Sequence, residues 1–359
     1  MVRVIAFYLP QYMPTEENDE WWGKGFTEWT NVGRAKPLFK GHYQPKVPTE
    51  LGYYDLRIPE VREQQAKLAE ESGIEGFCYW HYWFNGKRLL DKVFEEVVDN
   101  KTPDFPFCLC WANHSWYKKT WDSTKPNTML MEQTYPGVED YVNHFNSLLK
   151  AFQDNRYIKV NGKPVFGVFA PHDIPDVKLF ITTWNNLAKK NGLPGFYFWG
   201  FTYEETLIWK IKSQGFDAVV FDYMLSSFRK SEKIYTKKLK RKIRECFGFP
   251  TLFSYKTYSS LLLRNFYNTE DIKPCIIPNF DHSPRSGIKN IIINDTTPEL
   301  WGCLCQSVLN KIEKRKEDEN FLFIKAWNEW GEGNYLEPDL KYGRAYLDQL
   351  SKALKVRVE

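Results

Sequence analysis

The 359-residue sequence has no run of 18 apolar residues, which argues against a typical membrane-spanning helix. The strand-like segment Val2 to Leu9 follows the first residue directly, which leaves no room for the charged and apolar regions of a standard secretion signal. The net charge of +4 is close to balance, unlike the strongly positive charge of a typical nucleic-acid-binding protein. These absences predict a cytoplasmic protein without a nucleic-acid partner.

Cysteine is sparse, and its pattern does not indicate a disulfide framework. The seven cysteines are odd in number and scattered, and several lie in apolar, strand-like segments, as buried free thiols do. Cys108-x-Cys110 and Cys303-x-Cys305 lack the two-residue spacing of zinc sites. The histidines at predicted strand ends show no local ligand spacing either. We therefore predict no disulfide, no metal and no other cofactor.

Aromatic residues, in contrast, are abundant. The chain contains 14 Trp, 21 Tyr and 26 Phe, which together make 17% of its residues. Such a load can fill a core, but Trp and Tyr beside polar groups also stack on the apolar faces of sugar rings. Sugar is therefore the leading ligand class.

Eight apolar, β-branched and aromatic runs alternate with helix-like segments. Each run is nearly continuous in hydrophobicity, as strands buried on both faces are. This alternation predicts a parallel sheet, and eight units close naturally into a (β/α)₈ barrel, here one domain over residues 1–359. The competing open, doubly wound sheet would need eight strands without a Gly-rich phosphate turn. The predicted strands are Val2 to Leu9, Ile74 to Phe84, Phe105 to Trp111, Pro164 to Ala170, Gly195 to Phe201, Phe216 to Tyr223, Lys273 to Phe280 and Phe321 to Trp327. The predicted helices are Ile58 to Ser72, Lys87 to Asp99, Val138 to Asp154, Asp176 to Asn191, Glu204 to Ser213, Ser231 to Phe247, Pro298 to Lys316 and Arg344 to Val356.

Polar and aromatic residues follow most of the predicted strands, where barrel enzymes keep their chemistry. The connection after the first strand, about residues 12–56, is long and aromatic, which favours an active-site loop over disorder. His81, His114 and His282 lie at different strand ends, where we expect hydrogen-bonding or core roles. Asp281 and Arg285 could brace each other or contact sugar hydroxyls.

Two glutamates, Glu329 and Glu332, stand three residues apart where the apolar run Phe321 to Ala326 stops. Gly331 and Gly333 would let the backbone of this turn approach a ligand closely. Glycosidic-bond chemistry needs one protonated carboxyl, which donates to the leaving oxygen, and one ionised partner. We predict that Glu329 and Glu332 are this pair.

The segment Lys230 to Arg244 holds eight Lys or Arg residues against one Glu, with one apolar stripe. It predicts a basic helix whose simplest role is a solvated outer face of the barrel. A second role is contact with an anionic membrane or a lipid-linked glycan.

Several motifs resemble those of a known family. These are Phe7 to Tyr12, Asn18 to Val32, Gly76 to Asn85, Cys110 to Asn113 and Ala326 to Pro338. They resemble the WbsX-like family, glycosyltransferases of bacterial surface polysaccharide synthesis, over nearly the whole chain. That family is similar in turn, more loosely, to glycoside hydrolase family 99, the endo-α-mannosidases, which fold as (β/α)₈ barrels.

The hydrolase resemblance implies roles for both glutamates. Glu329 corresponds to the base that takes the proton of the sugar 2-hydroxyl, and Glu332 to the acid that protonates the leaving group. The intermediate would be a 1,2-anhydro sugar. The chain departs from the related motifs in two places: Gly331 stands where the hydrolases commonly have histidine, and His114-Ser115 precede Trp116 in the third-strand motif.

The sequence therefore predicts a carbohydrate-active enzyme, most like a retaining glycoside hydrolase or transglycosidase, with a glycan substrate. One alternative is a glycosyltransferase of polysaccharide synthesis, although neither a Gly-rich phosphate loop nor an Asp-x-Asp motif is present. Another is a glycan-binding module without catalysis. The predicted substrate-binding residues are Tyr8, Trp29, His81, Tyr82, Trp83, Trp111, Asn113, Trp116, Asp281, Arg285, Trp327, Asn328, Tyr335 and Glu337.

Overall fold

The chain folds as a closed barrel of eight parallel strands. A computed structural model describes residues 1–118, 128–231, 248–289 and 291–355. Each strand overlaps the strand predicted at its place in the sequence. The barrel strands are β1 (Arg3–Tyr8), β2 (Gly76–Phe84), β3 (Phe107–Trp111), β4 (Lys163–Val168), β5 (Tyr197–Thr202), β6 (Ala218–Asp222), β7 (Ile272–Ile276) and β8 (Phe321–Ile324).

Pairing between the first and last strands closes the sheet. Each strand is paired in parallel with the next, and β1 also pairs with β8, with Ala6 opposite both Phe77 and Ile324. Closure excludes the open, doubly wound alternative. Because all eight strands are parallel, their C-terminal ends meet at one rim, where barrel enzymes build their sites.

Aromatic side chains fill the barrel interior below that rim. The Phe7 ring stacks on Trp80, with centroids 4.6 Å apart, and meets the edge of Trp199 at 6.0 Å. Gly167 makes room for Trp199, because a Cβ atom at residue 167 would lie 2.2 Å from the indole ring. Each such aromatic pair contributes about 0.5–1.5 kcal/mol beyond the burial of its area. The interior is therefore a packed floor beneath the rim.

Helices surround the barrel, and several begin at the sequence signals expected of them. Thr297 caps the helix Pro298–Ile312, its hydroxyl accepting from Leu300 N at 3.3 Å, and proline occupies the first helical turn. The α-helices are Glu16–Trp22, Glu28–Gly33, Pro59–Glu71, Lys92–Asn100, Val138–Phe152, Val177–Lys190, Ile208–Ser213, Tyr223–Ser231, Tyr255–Arg264, Ser283–Ser286, Pro298–Ile312 and Ala345–Lys355.

Some local elements differ from the predictions. The first residues of the predicted helix Lys87 to Asp99 form a strand, Lys87–Leu89, which pairs antiparallel with the end of β2. The helix Tyr255–Arg264 was not predicted. A small parallel pair, Thr251–Ser254 with Ile291–Asn294, was not predicted either. Other short strands are Trp116–Lys118 paired with Thr128–Met131, Lys159–Val160 paired with β4, and Asn328–Glu329 paired with Asn334–Tyr335.

The predicted helix Ser231 to Phe247 and the basic segment Lys230 to Arg244 lie almost entirely outside the described residues. Within the described ranges, no helix is long and apolar enough to cross a membrane.

Candidate active site

Glu329 and Glu332 lie on a tight turn beyond the C-terminal end of β8. In this glutamate turn, residues 327–333, Asn328–Glu329 pairs with Asn334–Tyr335 and a single 3₁₀ turn spans Trp330–Glu332. Gly333 closes the turn in the left-handed region, at φ +56°, and a Cβ atom there would lie 2.7 Å from Lys46 Nζ. Both carboxyls therefore lie beyond the eighth strand of the barrel.

The glutamate turn is fixed to the end of β1 by hydrogen bonds. Tyr12 Oη donates to the carbonyl of Asn328 and accepts from Trp330 N at 3.0 Å, so one phenol holds the backbone on both sides of Glu329. The Asn328 side chain accepts from Leu9 N at 2.7 Å and donates to Leu9 O at 3.1 Å. The backbone that carries Glu329 is therefore held in place by the residues that follow β1.

Glu329 is buried above the aromatic floor. Trp80 Nε1 donates to its Oε1 at 2.8 Å, and Trp80 is itself held by its stack on Phe7. Burial, together with the nearby Glu332 carboxylate, raises the pKa of Glu329 to about 7, against the opposing effect of Lys325. Near neutral pH a substantial fraction of Glu329 therefore carries a proton.

Glu332 lies in a cationic environment. Arg285 Nη1 donates to its Oε1 at 2.6 Å, Lys325 Nζ lies 3.4 Å from Oε2, and His282 Nε2 lies 3.9 Å from Oε1. Burial opposes ionisation, but Lys325 and Arg285 outweigh it and hold the pKa of Glu332 well below its usual range. Glu332 is therefore an anion.

The environments of the two carboxyls shift their pKa values in opposite directions, upward at Glu329 and downward at Glu332. Environments that push the pKa values of two neighbouring groups apart are typical of acid and base assignments in enzymes. The hydrolase resemblance implies that Glu329 is the base and Glu332 the acid, whereas these shifts favour a protonated Glu329 and an ionised Glu332 in the unliganded pair. The cations around Glu332 are the physical reason.

Arg285 links Glu332 to Glu28, which lies in the long loop after β1. Its Nε donates to Glu28 Oε1 at 2.9 Å, and the Glu28 side chain is 3% exposed. Glu28 fills the space beside Gly331, where a Cβ atom would lie 1.8 Å from Glu28 Oε1. The carboxylate of Glu28 therefore takes the volume that a side chain at residue 331 would need, which gives a structural reason for the glycine found there.

Gly331→Ala should disrupt this arrangement. We expect a stability loss of about 1–3 kcal/mol, because the added methyl group must displace Glu28 and with it Arg285. Thermal unfolding and kcat/KM would both be measured. Gly33→Ala is the matched control, because no atom lies within 4 Å of a Cβ at residue 33 and its φ is ordinary. Wild-type stability of Gly331→Ala would contradict the close packing of Glu28 on Gly331.

Five predicted substrate-binding residues face the surrounding helices or the core, not the barrel mouth. Tyr8 Oη donates to Gln65 at 2.7 Å, and the ring nitrogens of His81 and His144 lie 2.8 Å apart. Side chains alternate along a strand, so His81 lies on the opposite face of β2 from Trp80. This placement differs from the prediction that they bind the substrate. The five residues, all buried, are Tyr8, His81, Trp83, Trp111 and Trp327.

Another group of predicted residues acts as braces within the protein. Asn113 Oδ1 accepts from Ala170 N, and Asn113 Nδ2 donates to Ala170 O, each at 2.8 Å. These two hydrogen bonds join the ends of β3 and β4. Glu337 accepts from Trp330 Nε1 and from Gln65 Nε2 at 2.6 Å each. The buried residues with such roles are Asn113, Asn328 and Glu337.

Asp281 does not pair with Arg285, which corrects one of the two hypotheses for these residues. Its carboxylate accepts instead from Gln44 Nε2 at 2.6 Å and from Ser283 N at 2.9 Å. His42 Nε2 lies 2.8 Å from the same carboxylate. Arg285 instead forms salt bridges with Glu28 and Glu332. Asp281 N also donates to the carbonyl of Glu332 at 2.6 Å, which places Asp281 behind the glutamate turn.

The remaining predicted residues lie around the turn. Tyr82 is close enough for Glu329 to raise the pKa of its phenol, after the larger effect of burial. Trp116 meets the edge of Tyr82 at 4.9 Å, Trp29 lies 5.6 Å from Trp330, and Tyr335 stacks on Trp330 at 3.7 Å. Of these four residues, Tyr82 is the one with a recorded interaction with the carboxyl pair, and the other three pack on Tyr82 or Trp330.

Sequence reasoning missed Trp80, Glu28 and Lys325. The period of two along β2 could have placed Trp80 on the same face as Tyr82. Lys325 interrupts a run treated as apolar, and a lysine near a strand end facing two glutamates was an available signal. Glu28 had no local signal, because its partner Arg285 is 257 residues away. Among the described residues, no group of three or more His, Cys, Asp or Glu side chains could hold a metal ion.

Comparison with known proteins places this chain in a family. Residues 4–350 match the family described as glycosyltransferase WbsX. The chain belongs to the WbsX family. An uncharacterized protein WxcX of Xanthomonas campestris pv. campestris is 34% identical over 358 residues. That match covers 98% of this chain but 49% of the relative, so the chain spans about half of the WxcX protein.

Solved structures with the same fold include glycoside hydrolases. A glycoside hydrolase-like protein has a TM-score of 0.60 at 16% identity, with 98% of this chain and 93% of that chain covered. The family 99 endo-α-mannosidase of Bacteroides thetaiotaomicron has a TM-score of 0.58 at 13% identity, with 99% of both chains covered. At such low identity these likenesses show the barrel fold alone. Together with the family membership, they show a WbsX-family chain with a barrel fold.

Proposed function

We propose that this WbsX-family chain acts on glycosidic bonds as a retaining hydrolase or transglycosidase, and that Glu329 and Glu332 are its catalytic pair. The observation that carries the proposal is the pair itself: a buried and a half-buried carboxyl on one tight turn, with pKa values shifted in opposite directions, at the rim where barrel enzymes work. The endo-α-mannosidase fold favours an α-mannoside as the first substrate to test. A glycan is the proposed partner, and no cofactor is required.

The resemblance to the family 99 hydrolases suggests a route through the sugar 2-hydroxyl, and we assign the two roles from the opposite pKa shifts of the pair. In this proposal Glu332 takes the 2-hydroxyl proton, O2 attacks C1, and the bond from C1 to the leaving oxygen breaks while that oxygen takes the proton of Glu329. The intermediate is a 1,2-anhydro sugar. An acceptor hydroxyl or water then attacks C1 and gives its proton to Glu329, while O2 regains a proton from Glu332. Both carboxyls return to their starting states.

Arg285 and Lys325 have a defined part in this proposal. Their charges keep Glu332 ionised before the sugar binds, which a base requires. Trp80 positions Glu329 through the 2.8 Å hydrogen bond. These groups hold the pair in opposite protonation states, which two ordinary surface glutamates would not adopt.

The proposal is tested by incubating the protein with α-mannosyl oligosaccharides, aryl α-mannosides and their 2-deoxy analogues, and by measuring the products. We expect turnover of the 2-hydroxyl substrates and none of the 2-deoxy analogues, because O2 is the attacking atom. Rapid turnover of a 2-deoxy glycoside would contradict the anhydro-sugar route.

A glycosyltransferase of bacterial polysaccharide synthesis is the second candidate, favoured by the description of the family that matches residues 4–350. Transfer only from a nucleotide-linked or lipid-linked sugar, without hydrolysis of glycosides, would select it.

From the sequence alone, we also propose a cytoplasmic location and contact of the basic segment Lys230 to Arg244 with an anionic membrane. The segment would be tested by comparing sedimentation with anionic and neutral vesicles.

The pH dependence of kcat/KM should report the shared proton. Glu329 must hold its proton to act as an acid, so we expect activity to fall as pH rises through about 7, the pKa of Glu329. Glu332 must be ionised, and its lowered pKa keeps the activity from falling until well below pH 4.5. This fall in kcat/KM near pH 7 is expected whichever of the two carboxyls holds the proton in the enzyme–substrate complex. Activity that rises from pH 7 to 9 would contradict a catalytic pair with one proton.

A further inference from the structure

A pocket of about 610 Å³ lies behind the glutamate turn, and neither Glu329 nor Glu332 lines it. Two lining residues contact the turn: Asp281 N donates to the carbonyl of Glu332 at 2.6 Å, and Lys46 Nζ donates to the carbonyl of Gly333 at 3.1 Å. The volume falls within the range of about 300–1,000 Å³ that is typical of small-molecule sites. A ligand in this pocket would be separated from the proposed catalytic pair by the backbone of the turn.

The charges of the pocket lining nearly cancel. Lys46 is buried, and Asp281 and Asp339 oppose the lowering of its pKa by burial, so its charge is balanced within the protein. The lining therefore favours neither an anionic nor a cationic ligand. Its charged residues are the carboxylates Asp281, Asp295, Glu299 and Asp339 and the lysines Lys46, Lys256 and Lys341.

Two exposed carboxylates supply hydrogen-bond acceptors to the pocket. Asp295 accepts from Ser254 Oγ at 3.0 Å with one oxygen and from Tyr255 N at 2.8 Å with the other. Each oxygen of a carboxylate can accept a second hydrogen bond, so Asp295 retains acceptor capacity. Glu299 lies in the first turn of the helix Pro298–Ile312 and is exposed, as Asp295 is. Both carboxylates can therefore accept from the hydroxyl groups of a ligand.

Three exposed side chains of the lining supply donors. Lys256 and Lys341 carry ammonium groups, and the amide of Asn294 can both donate and accept. Lys341 Nζ lies 5.0 Å from the ring centre of Tyr43 and 4.6 Å from that of Tyr342. Both rings are half-buried and add apolar surface beside these polar groups. The pocket thus combines donors, acceptors and aromatic surface.

We propose that this pocket is a second carbohydrate-binding site, which takes an uncharged sugar unit and has no part in bond cleavage. A ligand that fits the lining must donate to carboxylates and accept from ammonium groups without a strong charge of its own. Sugar hydroxyls do both, because each hydroxyl is a donor and an acceptor. The choice of a sugar among uncharged polar ligands rests on the proposed action on glycans, whereas the site itself does not depend on Glu329 or Glu332.

The proposal is tested by calorimetric titration of the full chain carrying Glu329→Gln/Glu332→Gln, which excludes turnover by the proposed pair. The ligands are the neutral trisaccharides mannotriose, maltotriose and cellotriose. We expect saturable binding of at least one of them at this pocket, weakened at least about tenfold by the added changes Lys256→Ala/Asn294→Ala. If the barrel mouth binds the same sugar, the titration should resolve two sites, of which these changes remove one.

Lys178→Ala/Asn186→Ala is the matched control, because it removes the same two residue types from exposed positions on the helix Val177–Lys190, outside the pocket. It should bind the trisaccharides as the background variant does. Thermal unfolding of all variants would verify that they fold. Trigalacturonic acid, an anionic trisaccharide, should bind more weakly than the neutral ones, because the lining has no excess of positive charge.

The outcomes separate this site from the proposed catalysis. Absence of saturable binding by all three neutral trisaccharides would overturn the second site, as would equal binding with and without the changes at Lys256 and Asn294. Tighter binding of trigalacturonic acid would contradict an uncharged ligand. Trisaccharide binding at the pocket of a chain whose wild type turns over no glycoside would retain this site and refute the proposed catalysis. Turnover by the wild type without binding at the pocket would do the reverse.

Discussion

Glu329→Gln is expected to lower kcat/KM for glycosides with poor leaving groups by about 10²- to 10⁴-fold, the usual contribution of general acid catalysis. The same variant should change kcat/KM for a 2,4-dinitrophenyl glycoside by less than about tenfold, because a good leaving group needs little help from a proton. This selectivity is expected of a general acid, the role that we propose for Glu329 because burial raises its pKa. Steady-state kinetics with a series of aryl glycosides of decreasing leaving-group pKa would measure it.

Glu332→Gln is the matched comparison, since it makes the same chemical change three residues away. We expect it to lose activity toward both kinds of substrate, because the 2-hydroxyl must lose its proton whatever group departs. Thermal unfolding would establish that both variants fold. The opposite pattern, with activated substrates spared by Glu332→Gln and not by Glu329→Gln, would restore the roles that the hydrolase resemblance implies. It would show that substrate binding moves the proton from one carboxyl to the other.

Arg285→Met should have the second large effect, on both stability and pH dependence. Removing the guanidinium leaves Glu28 buried without its ion-pair partner, and breaking a buried pair in this way costs about 3–5 kcal/mol. It also removes one of the cations that lower the pKa of Glu332, so the acidic limb of the kcat/KM profile should move to higher pH. Chemical unfolding and a pH profile would be measured on the same preparation.

The double variant Arg285→Met/Glu28→Gln separates these two effects. Its stability should recover in part, because no buried carboxylate at residue 28 remains unpaired, while the acidic limb should stay displaced because Glu332 still lacks the guanidinium. Recovery of both properties together would show that Arg285 acts only through packing. An acidic limb unchanged in Arg285→Met would contradict its role in keeping Glu332 ionised.

The barrel could be predicted because its strands are continuous in hydrophobicity and their number fixes a natural closure. Phe321–Ile324 is an apolar run with no period of two, as a strand buried on both faces requires. The pair Thr251–Ser254 and Ile291–Asn294 could not be predicted in the same way. Its two strands are far apart in the chain, and no local pattern records which short segments meet across such a distance.

The proposed catalytic pair was accessible from sequence because both glutamates lie on one short turn. The surrounding residues were harder, since the face on which a strand residue lies decides whether it meets the ligand or a helix. His81 and Trp80 are adjacent in sequence, yet one bonds His144 and the other bonds Glu329. Glu28 reaches the site only through Arg285. The charge of each carboxyl depends on such distant neighbours, and the resemblance to a family did not supply it.

The stereochemistry of the first product tests the central claim most directly. Proton NMR would follow an aryl α-mannoside or an α-mannosyl oligosaccharide during turnover, before the free sugar equilibrates between its anomers. The account predicts an α-configured product from the wild type and no product from the folded double variant Glu329→Gln/Glu332→Gln. A β-configured product, or unchanged turnover by the double variant, would contradict a retaining enzyme that works through Glu329 and Glu332.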